Sequence, residues 1–247
     1  AVLFEKGLVH FDDRAEKYLD KEIMKGLHIY KGRDHSGDIK IKHLLNHTSG
    51  LADYYTDKNR EKISLMKRMV SEPSKFWTPI ETINWTKEQL KPKFIPGKGC
   101  HYSDTNYQLL GLIVENITGM ALHEIYEDYI FEPLEMYNTY MPYYSQPKIK
   151  PEYPAADLFY KNLNLLEAKS ISMSWASGGV ISTSEDMLKF IKALVNHTLI
   201  SEKTFGKMQD WAKLGPSYYY GYGIMNFRFL FMPKKYEIWG NSGSIGT

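Results

Sequence analysis

Phe94-Ile95-Pro96-Gly97-Lys98-Gly99-Cys100-His101-Tyr102-Ser103-Asp104-Thr105-Asn106-Tyr107-Gln108-Leu109-Leu110-Gly111 sets a Pro/Gly-punctuated loop directly against the start of an apolar-periodic helix. The helix is predicted over Asn106 to Ile117, with Gly119 past its end. Ser103, Asp104 and Thr105 are all good capping residues, so the loop can be read as a helix start and nothing more. Packing alone explains Tyr102 poorly. A tyrosine held on a loop at a helix start suits proton transfer, provided that a nearby cation, most naturally a lysine, pulls its pKa down from about 10.

Upstream of this stretch the pattern is mostly helical. Ala1 to Leu8 carries an apolar helical face closed by Gly7, and a short helix follows Phe11-Asp12-Asp13 through Tyr18-Leu19. Ile39 to Leu45 leads into a helix closed at Gly50, and further helices are expected at Ser64 to Val70 and Thr78 to Leu90. Downstream, Ala121 to Tyr129 continues as helix, Met141 to Lys150 reads as a Pro-punctuated loop, and Ser184-Glu185-Asp186 caps a helix to about Val195. From Tyr218 the texture turns aromatic and β-branched. Tyr222 to Phe231 and Tyr236 to Trp239, joined by Met232 to Lys235, predict an antiparallel hairpin. The N-terminal face has no capping residue before it and the last residues follow a strand-like run, so the 247 residues are expected to belong to a longer protein.

With 31 basic and 29 acidic residues spread along the chain, the net charge of +2 leaves no electrostatic footprint for nucleic acid or an anionic membrane. A small-molecule or short peptide-like partner fits better. The single cysteine, Cys100, excludes an internal disulfide and any multi-cysteine metal site. No run of about 18 apolar residues predicts a membrane span.

Several short motifs have plain alternatives. Gly240-Asn241-Ser242-Gly243-Ser244-Ile245-Gly246 follows a strand with small residues that let a ligand approach the backbone, or it is a glycine-rich turn. Ser242 fails the G-x-S-x-G nucleophile elbow, because Ser244 occupies the second glycine position. His47-Thr48-Ser49-Gly50 reads as a helix C-terminus; His43 and His47 could share a helix face but lack a third metal ligand. Ser64/Lys67 and Ser145/Lys148 match S-x-x-K; the first lies in a charged, exposed-looking segment, and Pro147 disfavours a helix at the second. The N-x-T triplets at Asn46, Asn84, Asn116 and Asn196 fall in helices or at their ends and read as coincidence. Tyr218 to Tyr222 either lines a cleft or supplies strand-forming aromatics.

Taken in order, Phe4 to Leu8 with Asp12-Asp13, Ile41 to Leu51 (I-K-H-L-L-N-H-T-S-G-L), Phe94 to Gly111, Ala176 to Thr183 and Gly240 to Gly246 resemble the serine β-lactamase and penicillin-binding-protein-like hydrolases. The branch is that of class C β-lactamases, D-Ala-D-Ala carboxypeptidases, D-aminopeptidases and related esterases. The resemblance implies acyl transfer through a serine on an S-x-x-K helix, with no cofactor and no metal. It makes Tyr102 the catalytic tyrosine, places Asp104, Asn241, Ser242 and Gly243 in substrate binding, and gives Ser244 the second oxyanion-hole N–H. Three departures stand out. The S-x-x-K residues would precede Ala1, Asp104 replaces an asparagine and so lacks its NH₂ donors, and Asn241 replaces a lysine or histidine.

The fold expected is α/β (α+β) and β-lactamase/transpeptidase-like, with a helical region packed on an antiparallel sheet that is incomplete here. Residues 1–19 would end the nucleophile helix, 20–170 would form a mostly helical region carrying Tyr102, and 171–247 would form part of the sheet region. The function expected of the intact protein is that of a serine hydrolase acting on an ester or amide; a non-catalytic binding or sensor protein of the same fold is the alternative. Compartment and oligomeric state are not written in these residues, although the resemblance favours the periplasm or cell exterior.

Overall fold

The computed structural model describes residues 1–160, 163–229, 233 and 238–243. In chain order the first half contains helices α1 (Val2–Glu5), α2 (Lys21–Met24), α3 (Ile41–Leu45), α4 (Leu65–Ser71), α5 (Pro79–Gln89), α6 (Asp104–Thr118) and α7 (Leu122–Tyr126). A small hairpin, β1 (Ile29–Tyr30) with β2 (Arg33–Asp34), interrupts them. The second half contains a hairpin of β3 (Phe159–Tyr160) and β4 (Leu163–Asn164), then α8 (Trp175–Gly178), α9 (Ser184–Val195) and α10 (Glu202–Met208). The strands β5 (Ala212–Lys213), β6 (Tyr218–Tyr220), β7 (Met225–Phe227) and β8 (Ile238–Gly240) complete it.

Local chemistry sets the long helices. Thr78 and Glu81 form a reciprocal capping box at α5: Thr78 Oγ1 accepts from Glu81 N–H at 3.3 Å, and the glutamate accepts from Thr78 N–H at 2.9 Å. Pro79 takes the first helical position, where a missing N–H costs nothing. Helix α6 ends on Gly119 at φ 69°, and its Leu109 and Ile113 enter a core with Leu3, Leu19, Leu44, Leu51 and Ile83. Its opposite flank receives α8: a Cβ on Gly111 would lie 2.5 Å from the Trp175 ring and 2.6 Å from the Ala176 Cβ. Only glycine permits that approach.

The sheet is an antiparallel meander in the order β5-β6-β7-β8, with Tyr220 opposite Met225 and Met225 opposite Gly240. Leu194 of α9, Phe205 of α10, Ile200 and Ile224 form its core, with Val2 and Trp239 packed against them. The helical body and the antiparallel pairing of β7 with β8 follow the expected architecture; of the expected link Met232 to Lys235, only Pro233 is among the described residues.

Several sequence expectations need correction. The helix expected to close at Gly50 ends at Leu45, because His47 adopts a left-handed φ of 57°. His43 and His47 therefore share no helix face. Thr183, not Ser184, caps α9, its hydroxyl accepting from Asp186 N–H. Ser64 is buried as the residue preceding α4, contrary to the exposed reading of its charged segment. The strand expected from Tyr222 begins only at Met225, and the helix expected through Tyr129 passes after Tyr126 into a π-helical turn, Glu127–Phe131.

Candidate active site

Two segments that lie far apart in the chain hold the Tyr102 loop. Residues 47–50 and 93–101 run side by side, with His101 N–H donating to His47 O, Gly97 N–H to Thr48 O and Lys93 N–H to Gly50 O. They touch so closely that a Cβ on Gly50 would fall 2.0 Å from Phe94 O. The side chains of Lys93 and His101 both reach the Asp57 carboxylate, at 2.8 and 2.9 Å. The loop therefore delivers Tyr102 to the start of α6 from a tied base.

Asp104 opens α6. Its backbone N–H donates to Asp53 Oδ1 at 3.0 Å, and Asp53 is almost fully buried. Burial, and then the neighbouring Asp53 charge, push the Asp104 carboxyl up to about 7, against a hydrogen bond from Tyr102. The same burial, reinforced by the Asp104 charge, lifts the Tyr102 phenol above its ordinary range. Among the described residues no cation offsets this, so the cation required for a phenolate is not supplied here.

Tyr220 links the two halves of the site. Its ring lies 6.0 Å from that of Tyr102, and its hydroxyl donates to Asn241 Oδ1 at 3.5 Å. Asn241 Nδ2 donates to Gly223 O at 3.1 Å, which fixes the side chain without any charge. Ser242 and Gly243 follow on the exposed rim, with Ser242 Oγ 3.6 Å from Met225 Sδ. Ser244 lies outside the described residues. Tyr102, Asp104 and Asn241 thus meet around Tyr220. Neither S-x-x-K match joins them: Ser145 accepts from Met141 N–H, Lys148 pairs with Glu132, and Ser64 and Lys67 flank the start of α4.

Beneath Tyr102 lies His47, fully buried, its ring 4.4 Å from Tyr102, 4.3 Å from Tyr220 and 5.3 Å from Tyr107. Sequence reasoning took it for part of a helix end; its non-helical backbone and 55-residue separation from Tyr102 left no local signal. Tyr220 had a partial one, as a residue of the aromatic run Tyr218 to Tyr222 that could line a cleft or supply strand-forming aromatics. Asp53 had none. Among the described residues no group of side chains could hold a metal ion, and no helix is long and apolar enough to cross a membrane.

The fold is that of the serine β-lactamase-like class. The chain belongs to the Beta-lactamase family, whose pattern matches residues 1–246. It is 30% identical over 142 residues to penicillin-binding protein 4* of Bacillus subtilis, covering 56% of this chain and 26% of that protein. It is 26% identical over 170 residues to the teichoic acid D-alanine hydrolase of Staphylococcus aureus, covering 68% and 38%. The solved D-stereospecific amidohydrolase of Streptomyces sp. superposes with a TM-score of 0.80 at 26% identity, over 99% of this chain and 70% of that one. The chain thus spans between about a quarter and two-fifths of the length of these curated relatives.

Proposed function

We propose that the protein containing this chain is a serine hydrolase that transfers the acyl group of an ester or amide through an acyl-enzyme. The observation that carries this reading is the convergence of Tyr102, Asp104 and Asn241 on Tyr220 in a chain matched along its length by the family pattern. In this reading the serine and its lysine come from residues outside the 247. The lysine would supply the cation that Tyr102 lacks, drawing its phenol down and letting it carry a proton between the serine and the leaving group. Backbone donors at Ser244 would hold the tetrahedral oxyanion, a contact worth roughly 3 kcal/mol elsewhere. The substrates would be D-amino acyl esters or amides rather than drugs. The names of the teichoic acid and amidohydrolase relatives support this choice, as does Asn241, which offers no positive charge to a substrate carboxylate. A location in the periplasm or outside the cell would follow from the same relatives.

The test is to treat the full-length protein with a fluorophosphonate probe and locate the adduct by mass spectrometry. An adduct on a serine preceding Ala1, lost in Tyr102→Phe, is expected; no adduct overturns the reading. A non-catalytic binding role is the second reading. It is favoured by the raised Tyr102 phenol and the uncharged Asn241, and it would show as ligand binding without labelling.

A further inference from the structure

We infer that His47 is a positioning residue for the site: a neutral imidazole, locked in one tautomer, whose ring fixes Tyr102 and Tyr220 relative to each other. The inference rests on Tyr102 being the proton-transfer group.

The lock can be followed atom by atom. Ser103 backbone N–H donates to His47 Nδ1 at 3.1 Å, so Nδ1 is an acceptor. The Asn106 amide atom facing Nδ1 at 3.1 Å must then be its Nδ2, which leaves Oδ1 to accept from the Ser49 hydroxyl at 2.6 Å while Ser49 Oγ accepts from Leu51 N–H at 3.1 Å. Nδ1 thus accepts twice and carries no proton. The ring proton belongs on Nε2, which is buried and has no hydrogen-bond partner.

Protonating Nδ1 would set a third donor against two others. Of the groups facing the ring only the Ser103 backbone favours a cation, and burial and His101 outweigh it; Tyr102, Tyr107 and Tyr220 are neutral phenols. Burial depresses the imidazole to about 3. His47 is therefore neither a base nor the missing cation. Its geometry does one thing: it lies tilted by 33° against Tyr102 and edge-on, at 83°, against Tyr220. Ser103, which holds its Nδ1, is the residue between Tyr102 and Asp104, so the lock and the site share backbone. The left-handed φ at position 47 presents the ring to that place.

The experiment has three arms. Long-range proton–nitrogen NMR correlations on the wild-type protein should show the Nε2–H tautomer from pH 8 to pH 5. An Nδ1–H tautomer, or titration near pH 6.5, overturns the inference. His47→Asn keeps an acceptor near the Nδ1 position and tolerates left-handed backbone, but removes the ring. In this variant the ring-current shifts of the Tyr102 protons should be lost; unmoved shifts in a folded variant overturn it.

In the full-length protein, His47→Asn should lower kcat about tenfold or more with little change in KM or in the acid limb of the pH profile. Added to Tyr102→Phe it should cost less than about twofold further. Additive losses, a shifted acid limb or an unchanged kcat overturn the positioning role. If no serine is labelled while both NMR results hold, the hydrolase reading fails and the placement of Tyr102 by His47 stands.

Discussion

Asp104 and His47 respond to the same burial in opposite senses, because one is charged when it loses a proton and the other when it gains one. Asp104 is held near 7 in the fold against 3.8 when solvated. The fold therefore keeps that proton where the unfolded chain releases it. The corresponding stability is fully present below pH 3.8 and is lost as pH rises through about 7. Asp104→Asn removes this cost and should stabilise the protein by roughly 2 kcal/mol at pH 8, the gap closing toward pH 4; paired thermal melts check it. At this scale Tyr102 was legible because a tyrosine on a Pro/Gly loop at a helix start has little structural excuse. His47 and Asp53 were not, since their roles depend on contacts made some 50 residues along the chain.

Between α6 and α8 the backbone of Gly111 lies against the Trp175 ring with no room for a methyl group. Gly111→Ala must push these helices apart or tilt the indole, and should cost about 1–3 kcal/mol in chemical denaturation despite the better helix propensity of alanine. Thr78→Ala, by contrast, should cost only about 1 kcal/mol, the worth of a helix cap. The elements read correctly were those whose ends are written in side chains: α5 through Thr78, Pro79 and Glu81, and α6 through Gly119. The helix expected to run to Gly50 was misread because a histidine, a rare choice for left-handed backbone, breaks the pattern at position 47, two residues past the end of α3. Residue spacing alone also could not distinguish the π-helical turn at Glu127–Phe131 from ordinary helix.

Across the whole molecule, three histidines held as neutral rings, the fully buried His28 and His47 and the half-buried His43, set the acid limit. His28 is depressed by burial, His43 to about 4 and His47 to about 3. Unfolding lets each take a proton at about pH 6.5, so stability falls as pH drops below that value, down to about 4 for His43 and about 3 for His47. Asp104 works the other way over part of this range, but it is one group against three. The melting temperature should decline steadily from pH 6.5 to 4.5. His43→Asn should make that slope shallower, as measured by urea unfolding at several pH values. The meander has a kinetic meaning as well. Each strand of β5 to β8 pairs only with its sequence neighbour, whereas the tyrosine site needs distant contacts such as His47 and Tyr102 with Tyr220. Short chain closures precede long ones, so in refolding the sheet can be ready while Tyr220 still faces water. The cleft would then be the last part of the molecule to come into existence, and the first to disappear when the helical body loosens.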